Sequence, residues 1–127
     1  MIKIAIPLLH VSDPISAESF YCDQLGFTKV FAYRPFGESG PCYLGLIRDN
    51  VRLHLSSFPE DGTPGNAVVL IVDNVDALYN EFVQKGVKIH LNPTDQSWGN
   101  REMYINDIDN NSIRFTQWSD LETNFNP

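Results

Sequence analysis

Three histidines, two cysteines and a handful of loop aromatics are the residues of this chain with chemistry to offer. Cys22 and Cys42 lie outside any Cys-x-x-Cys spacing, and no serine or cysteine nucleophile motif or glycine-rich phosphate loop occurs. His10 falls in the apolar run Leu8-Leu9-His10-Val11 and reads as a satisfied core or edge histidine, while His90 reads as a surface residue. Phe36, Phe58 and Trp98 differ from the other aromatics because they sit in breaker-rich segments. Phe36 lies within Arg34-Pro35-Phe36-Gly37, Phe58 precedes Pro59-Glu60-Asp61, and Trp98 stands between Ser97 and Gly99. Two readings stand for them: they anchor loops against the core, or they stack on a flat ligand. Glu38, Glu60, Asp61, Asp95 and Glu102 would favour a ligand that is also cationic.

The balance of charge points the same way. Nine Lys and Arg against sixteen Asp and Glu leave a formal charge of −7. Such a chain repels phosphate and anionic membrane surfaces, which argues against nucleic acid or a membrane as partner, and it draws cations. At 127 residues it is one ordinary domain, able to bury a core without covalent staples. Two cysteines read as reduced thiols. The start, Met1-Ile2-Lys3-Ile4, runs straight into a strand pattern, with no signal peptide or transmembrane stretch, so the expected compartment is the cytoplasm.

The elements that must position these residues repeat at an interval of sixty. Asp13 and Asp73 each follow an apolar run and open a helical pattern, Gly26 and Gly86 close those patterns, and Ala17 matches Ala77. Asp49-Asn50 likewise matches Asp109-Asn110, so the offset holds from one end of a unit to the other and argues for a duplicated module. Each module reads strand, helix, three strands. Ile2, Ile4, Ile6 and Leu8 alternate as a half-buried first strand. Asp13 caps a helix with Pro14 at its first position, and Ala17, Phe20, Tyr21 and Leu25 share a face. Val75, Leu78, Tyr79, Phe82 and Val83 form the second helical stripe. Strands are expected over 27–33, 42–48 and 51–55, then over 87–91, 101–107 and 112–117, with 92–100 irregular. Module one spans 1–58, the breaker-rich linker 59–65, module two 66–118 and a loosely held polar tail 119–127.

Two tandem βαβββ modules form the architecture of the glyoxalase/bleomycin-resistance/dioxygenase (vicinal oxygen chelate) superfamily, and local motifs resemble it too. Val11-Ser12-Asp13, Ser19-Phe20-Tyr21 and Leu25-Gly26-Phe27 resemble the family's first helix and its exit. Trp98-Gly99-Asn100-Arg101-Glu102 and Asp107-Ile108-Asp109-Asn110-Asn111 are similar to the Trp-Gly-x-Arg-Glu and Asp-Pro-x-Gly-Asn segments of bleomycin-resistance proteins, with Ile108 where Pro is usual and Asn110 where Gly is usual. The resemblance implies an α+β fold of curled mixed sheets, helices on the convex side, a site on the concave side and a homodimer. Alternation sorts the late strands. Leu53, Leu55, Met103, Ile105, Ile113 and Phe115 share the core parity, whereas His54, Glu102, Tyr104 and Arg114 face the cup.

Family enzymes hold a divalent metal with four His or Glu ligands, and carried onto this chain those positions are Ile6, His54, Asn66 or Ala67, and Arg114. Only His54 can ligate, and Arg114 would repel a cation. The resemblance therefore implies no metal, no cofactor and no catalytic residue, but a protein that sequesters a small molecule, as bleomycin-resistance proteins do. The ligand-binding set expected is Phe36, His54, Phe58, Glu60, Asp61, Trp98, Glu102, Tyr104 and Arg114, around a cationic aromatic compound. The other reading is a lyase or oxidoreductase relative with a displaced metal site, in which His54 and Glu102 act as an acid/base pair.

Overall fold

The computed structural model describes residues 1–119. Two four-stranded mixed sheets carry the fold. The first contains β1 (Leu8–His10), β2 (Thr28–Tyr33), β3 (Tyr43–Arg48) and β4 (Val51–Ser56) in the order β1-β4-β3-β2. The second contains β5 (Ala67–Ile71), β6 (Leu91–Asp95), β7 (Arg101–Asn106) and β8 (Ser112–Gln117) in the order β5-β8-β7-β6. Within each, the first strand runs parallel to the last and the other pairs are antiparallel. That is the expected βαβββ plan, twice. The described residues pack as two units: Met1–Asn66 together with Asp107–Asn111, and Ala67–Asn106 together with 112–119.

The first helix, α1 (Pro14–Ser19), starts where the sequence says. The Asp13 carboxylate accepts hydrogen bonds from the Ile15 backbone N–H at 3.1 Å and the Ser16 hydroxyl at 2.7 Å, with Pro14 in the first turn. It then widens into a π-helical stretch, Phe20–Gln24, closed by Gly26 at φ 79°. The second helix, α2 (Val75–Gln84), is capped one residue later than expected. Asn74 rather than Asp73 accepts the Ala77 N–H, at 3.0 Å.

Two further expectations are corrected. The first strand does not run from Ile2 to Leu8 with its even-numbered residues buried. The strand starts only at Leu8; Pro7 has no N–H to give and joins the ladder through its carbonyl alone, which accepts the His54 N–H at 2.9 Å. Leu9 and Val11 are the buried residues, while Ile2, Ile4 and Leu8 are exposed. The sixth strand is Leu91–Asp95 rather than 87–91, so that only Leu91 falls in the expected strand and the rest lies in the segment expected to be irregular. Pro93 disguised it. As an edge strand whose register shifts between Leu91 and Thr94, β6 tolerates a proline.

The hairpin turns behave as read. Arg48 pairs with Val51 across Asp49 and Asn50, both at positive φ, and Asn110, standing where the family uses glycine, also adopts positive φ. Strand parity holds throughout the late strands. Leu53, Leu55, Met103, Ile105, Ile113 and Phe115 are buried, and Glu102 lies on the opposite parity with Tyr104, Arg114 and, in its own unit, His54. Both cysteines are free, with Cys42 buried and Cys22 half-buried. Among the described residues no helix is long and apolar enough to cross a membrane.

In the second unit the core is keyed by Phe82, fully buried on α2 with its ring edge-on to Phe115 at 5.2 Å. In the first, Tyr21 is fully buried and donates its hydroxyl to Asp107 at 2.7 Å. Burial and the Asp107 charge push the Tyr21 phenol above its usual pKa, which favours the protonated phenol that donates to Asp107. Urea unfolding should therefore show Phe82→Ala losing about 3–5 kcal/mol. Tyr21→Phe, which leaves a buried carboxylate short of one donor, should lose about 1.5–3 kcal/mol.

Candidate functional site

Each sheet has one face turned away from its helix, and the polar and aromatic side chains of the late strands gather there. On the first sheet, Gly45 is the organising residue. It pairs with both Phe31 and His54, and a side chain at this position would collide with the Phe31 ring, which lies across it. Phe31 meets His54 edge-on at 5.5 Å and lies parallel to Tyr43 at 6.1 Å. His54 is bonded through Nδ1 to the Tyr43 hydroxyl at 2.7 Å. Tyr33, the register partner of Tyr43, stacks on Phe58 at 6.3 Å. The result is a row of two ring groups, Phe31 with Tyr43 and His54, and Tyr33 with Phe58, set side by side by the Tyr33–Tyr43 register pair, with Phe31 40% and Tyr33 59% exposed.

The predicted residues divide around this row. His54 and Phe58 belong to it. Phe36 does not, standing 73% exposed on its loop. The Asp61 carboxylate accepts the Ser56 hydroxyl at 2.7 Å, and its backbone oxygen lies 3.3 Å from His10 Nδ1, while Glu60 is exposed. Sequence reasoning missed Phe31, Tyr33, Tyr43 and Gly45. The signal was present: Phe31 and Tyr33 share one parity, and a glycine inside a strand announces a close approach.

On the second sheet, four of the predicted residues form one connected chain. Trp98, 55% exposed, donates its indole N–H to one oxygen of Glu102 at 3.0 Å, and the Tyr104 hydroxyl donates to the other at 2.5 Å. The Arg114 guanidinium lies over the Tyr104 ring, 4.7 Å from its centroid, with its Nε–H directed at Ser112 Oγ at 3.3 Å. The hydrogen bond to Glu102, followed by burial, raises the Tyr104 pKa and keeps that proton on the phenol. The Glu102 carboxylate is thus almost wholly buried with both oxygens occupied. The ion pair of Arg101 with Glu102 suggested by their adjacency is not formed. Arg101 instead holds Asp76 through two bonds of 2.9 Å and Asp95 at 3.1 Å.

A divalent metal does not fit these faces. His54 has Leu8 beside it on β1, and Arg114 has Val69 beside it on β5, so the register displaces the expected neighbours by about two residues and still offers no donor atom. Among the described residues no three His, Cys, Asp or Glu side chains gather as a metal site. A separate cavity of about 190 Å³ lies in the first unit between α1 and the Asp107–Asn111 turn, lined by Ser16, Ala17, Phe20, Asp107, Ile108 and Asp109, and contains none of the predicted site residues.

Burial, with a smaller contribution from the Arg52 charge, holds the His54 pKa below its ordinary value, so the imidazole is neutral at pH 7. In proton NMR its titration midpoint should lie under about 6.5. The unfolded chain then binds the proton first as pH falls. Stability is therefore expected to decrease from about pH 6.5 down to the folded midpoint, and His54→Gln should flatten that slope. Gly45→Ala, which displaces the Phe31 ring, should cost about 1–3 kcal/mol.

Comparison with known proteins places this geometry. The family model described as "Glyoxalase superfamily protein" matches residues 1–122. A bleomycin resistance protein of Geobacillus stearothermophilus is 32% identical over 133 residues, an alignment covering 89% of this chain and 95% of the relative, and one of Staphylococcus aureus matches to the same extent. Among solved structures, a bleomycin-binding protein complexed with bleomycin superposes with a TM-score of 0.73 at 25% identity, covering 93% of this chain and all of the other. An antibiotic binding protein from Streptomyces sp. CB03234 shares the fold, with a TM-score of 0.74 at 24% identity over 94% of this chain and 98% of that one. By fold, motif order and overall sequence, the chain belongs to the glyoxalase superfamily, in which its relatives include bleomycin resistance proteins.

Proposed function

We propose that this chain is a non-catalytic binding protein that sequesters a flat, ring-bearing small molecule of the bleomycin-type antibiotic class. The observation that carries the reading is the part-exposed aromatic face of the first sheet, where Phe31 lies over Gly45 against Tyr43 and His54 and Tyr33 stacks on Phe58. Such a preformed apolar strip loses little entropy when a planar ligand stacks on it. Trp98 offers a second exposed platform on the other sheet.

The ligand set is Phe36, His54, Phe58, Glu60 and Asp61 in the first unit and Trp98, Glu102, Tyr104 and Arg114 in the second. A positive group on the ligand is favoured by the electron-rich ring faces and by the charge of −7. Glu60 is the most open of the carboxylates named, since Asp61 and Glu102 already serve protein donors. The aliphatic residues Ile4 and Leu8 in one unit and Val69 and Ile71 in the other stand open, which supports a homodimer that covers them.

Calorimetric titration with metal-free bleomycin tests the reading. We expect saturable binding that weakens as salt rises. Trp98→Ala should bind about fivefold to tenfold more weakly and still fold, with a lowered melting temperature because Glu102 gives up one donor. A variant that melts early yet binds normally when folded would make Trp98 a loop anchor and sink its part in the site. Light scattering at micromolar concentration should give twice the chain mass, and the monomer mass would count against the dimer.

A further inference from the structure

The carboxylates expected to greet a positive ligand are mostly committed elsewhere. Glu102 serves Trp98 and Tyr104, and Asp95 serves Arg101. The charge that remains available on the open face of the second sheet is positive, and it is Arg114. Its guanidinium plane is fixed by the Tyr104 ring on one side, and its Nε–H is turned toward Ser112. Beyond those contacts the terminal Nη groups have no protein acceptor among the described residues. Their neighbours across the sheet are Val69 on β5, itself 56% exposed, and Tyr104 on β7. A guanidinium that is oriented by stacking, half-buried and left with free N–H groups is a preset fork for two oxygens.

We propose that Arg114 is the recognition point for an oxyanion, a carboxylate or sulfonate, carried on the aromatic ligand, and that this face therefore selects ring compounds bearing a negative group. The assignment rests on the ring-binding reading and adds to it the sign of one end of the ligand. Glu102 has a positioning role. By taking the Tyr104 hydroxyl proton's bond at 2.5 Å and pairing with Trp98, it holds the ring on which Arg114 lies and does not neutralise the guanidinium by direct contact.

Two fluorescent dyes of nearly the same shape separate the possibilities: anilinonaphthalene sulfonate, which carries the oxyanion, and neutral phenylnaphthylamine. The wild-type protein should bind the sulfonate at least about tenfold more tightly, the ratio expected of a charge-assisted hydrogen bond. Arg114→Gln should bring the two dyes to equal affinity by weakening only the sulfonate, and Arg114→Lys, which keeps the charge but loses the fork, should fall between. Should the Gln variant not fold, displacement of the sulfonate dye from wild type by benzoate but not by benzamide supports the assignment on its own, and equal displacement overturns it. Equal binding of both dyes by wild type overturns the Arg114 assignment and leaves ring binding standing. Binding of neither dye overturns both.

Discussion

One buried carboxylate organises the first unit. Asp107 lies in the turn after β7, only 7% exposed, and accepts four hydrogen bonds: from the Tyr21 hydroxyl, from the backbone N–H groups of Asp109 and Asn111, and from the Asn111 side chain. A desolvated negative charge is tolerable only with such a complement of donors. Asn111 extends the network. Its amide nitrogen also reaches the His10 carbonyl at 2.8 Å, and its oxygen accepts the N–H groups of Gly65 and Asn66. Asp109 adds the Ser12 N–H. A five-residue turn thus fixes the end of β1, the approach to α1 and the end of the linker. The mutually dependent bonds explain why the turn packs with Met1–Asn66 although it lies forty residues further along the chain.

The two open faces differ although the two modules share one topology. His54 and Arg114 are sixty residues apart, occupy the same strand of their modules, and each leans on a tyrosine from the neighbouring strand. On the first face burial keeps the imidazole neutral and the surroundings are rings, so dispersion and planarity dominate. On the second a permanent cation sits on a polar chain running through Tyr104 and Glu102 to Trp98. The substitutions that leave no ligand set for a metal also supply this asymmetry, since an arginine that repels a divalent ion attracts an oxyanion.

Most of the architecture was legible because its signals are local and periodic. The Asp13 cap, the Asp49-Asn50 turn and the parity of Leu53, Leu55, Met103 and Ile105 follow from steric and solvation rules acting over a few residues. The misreadings share a cause. Pro7 and Pro93 change meaning with position in a sheet: one stands just before a strand start, the other sits on an edge, and strand order is not local information. The site was legible in part. Outward parity found His54, Tyr104 and Arg114, but the Phe31 ring over Gly45 depends on cross-strand register, and the capture of Arg101 by Asp76 depends on how α2 lies on its sheet. Adjacent opposite charges such as Arg101 and Glu102 point to opposite faces of a strand, which is why adjacency misled.

The placement of the Asp107–Asn111 turn bears on how the chain is made. A ribosome releases His10, Tyr21 and Gly65 well before Asp107 and Asn111 leave the tunnel, so the nascent first half lacks the partners that the Tyr21 phenol, the His10 carbonyl and the Gly65 amide have in the fold. Truncation shortly before residue 107 would accordingly leave the N-terminal half incomplete as well, and protein quality control would meet one defective body rather than one sound module and one broken one.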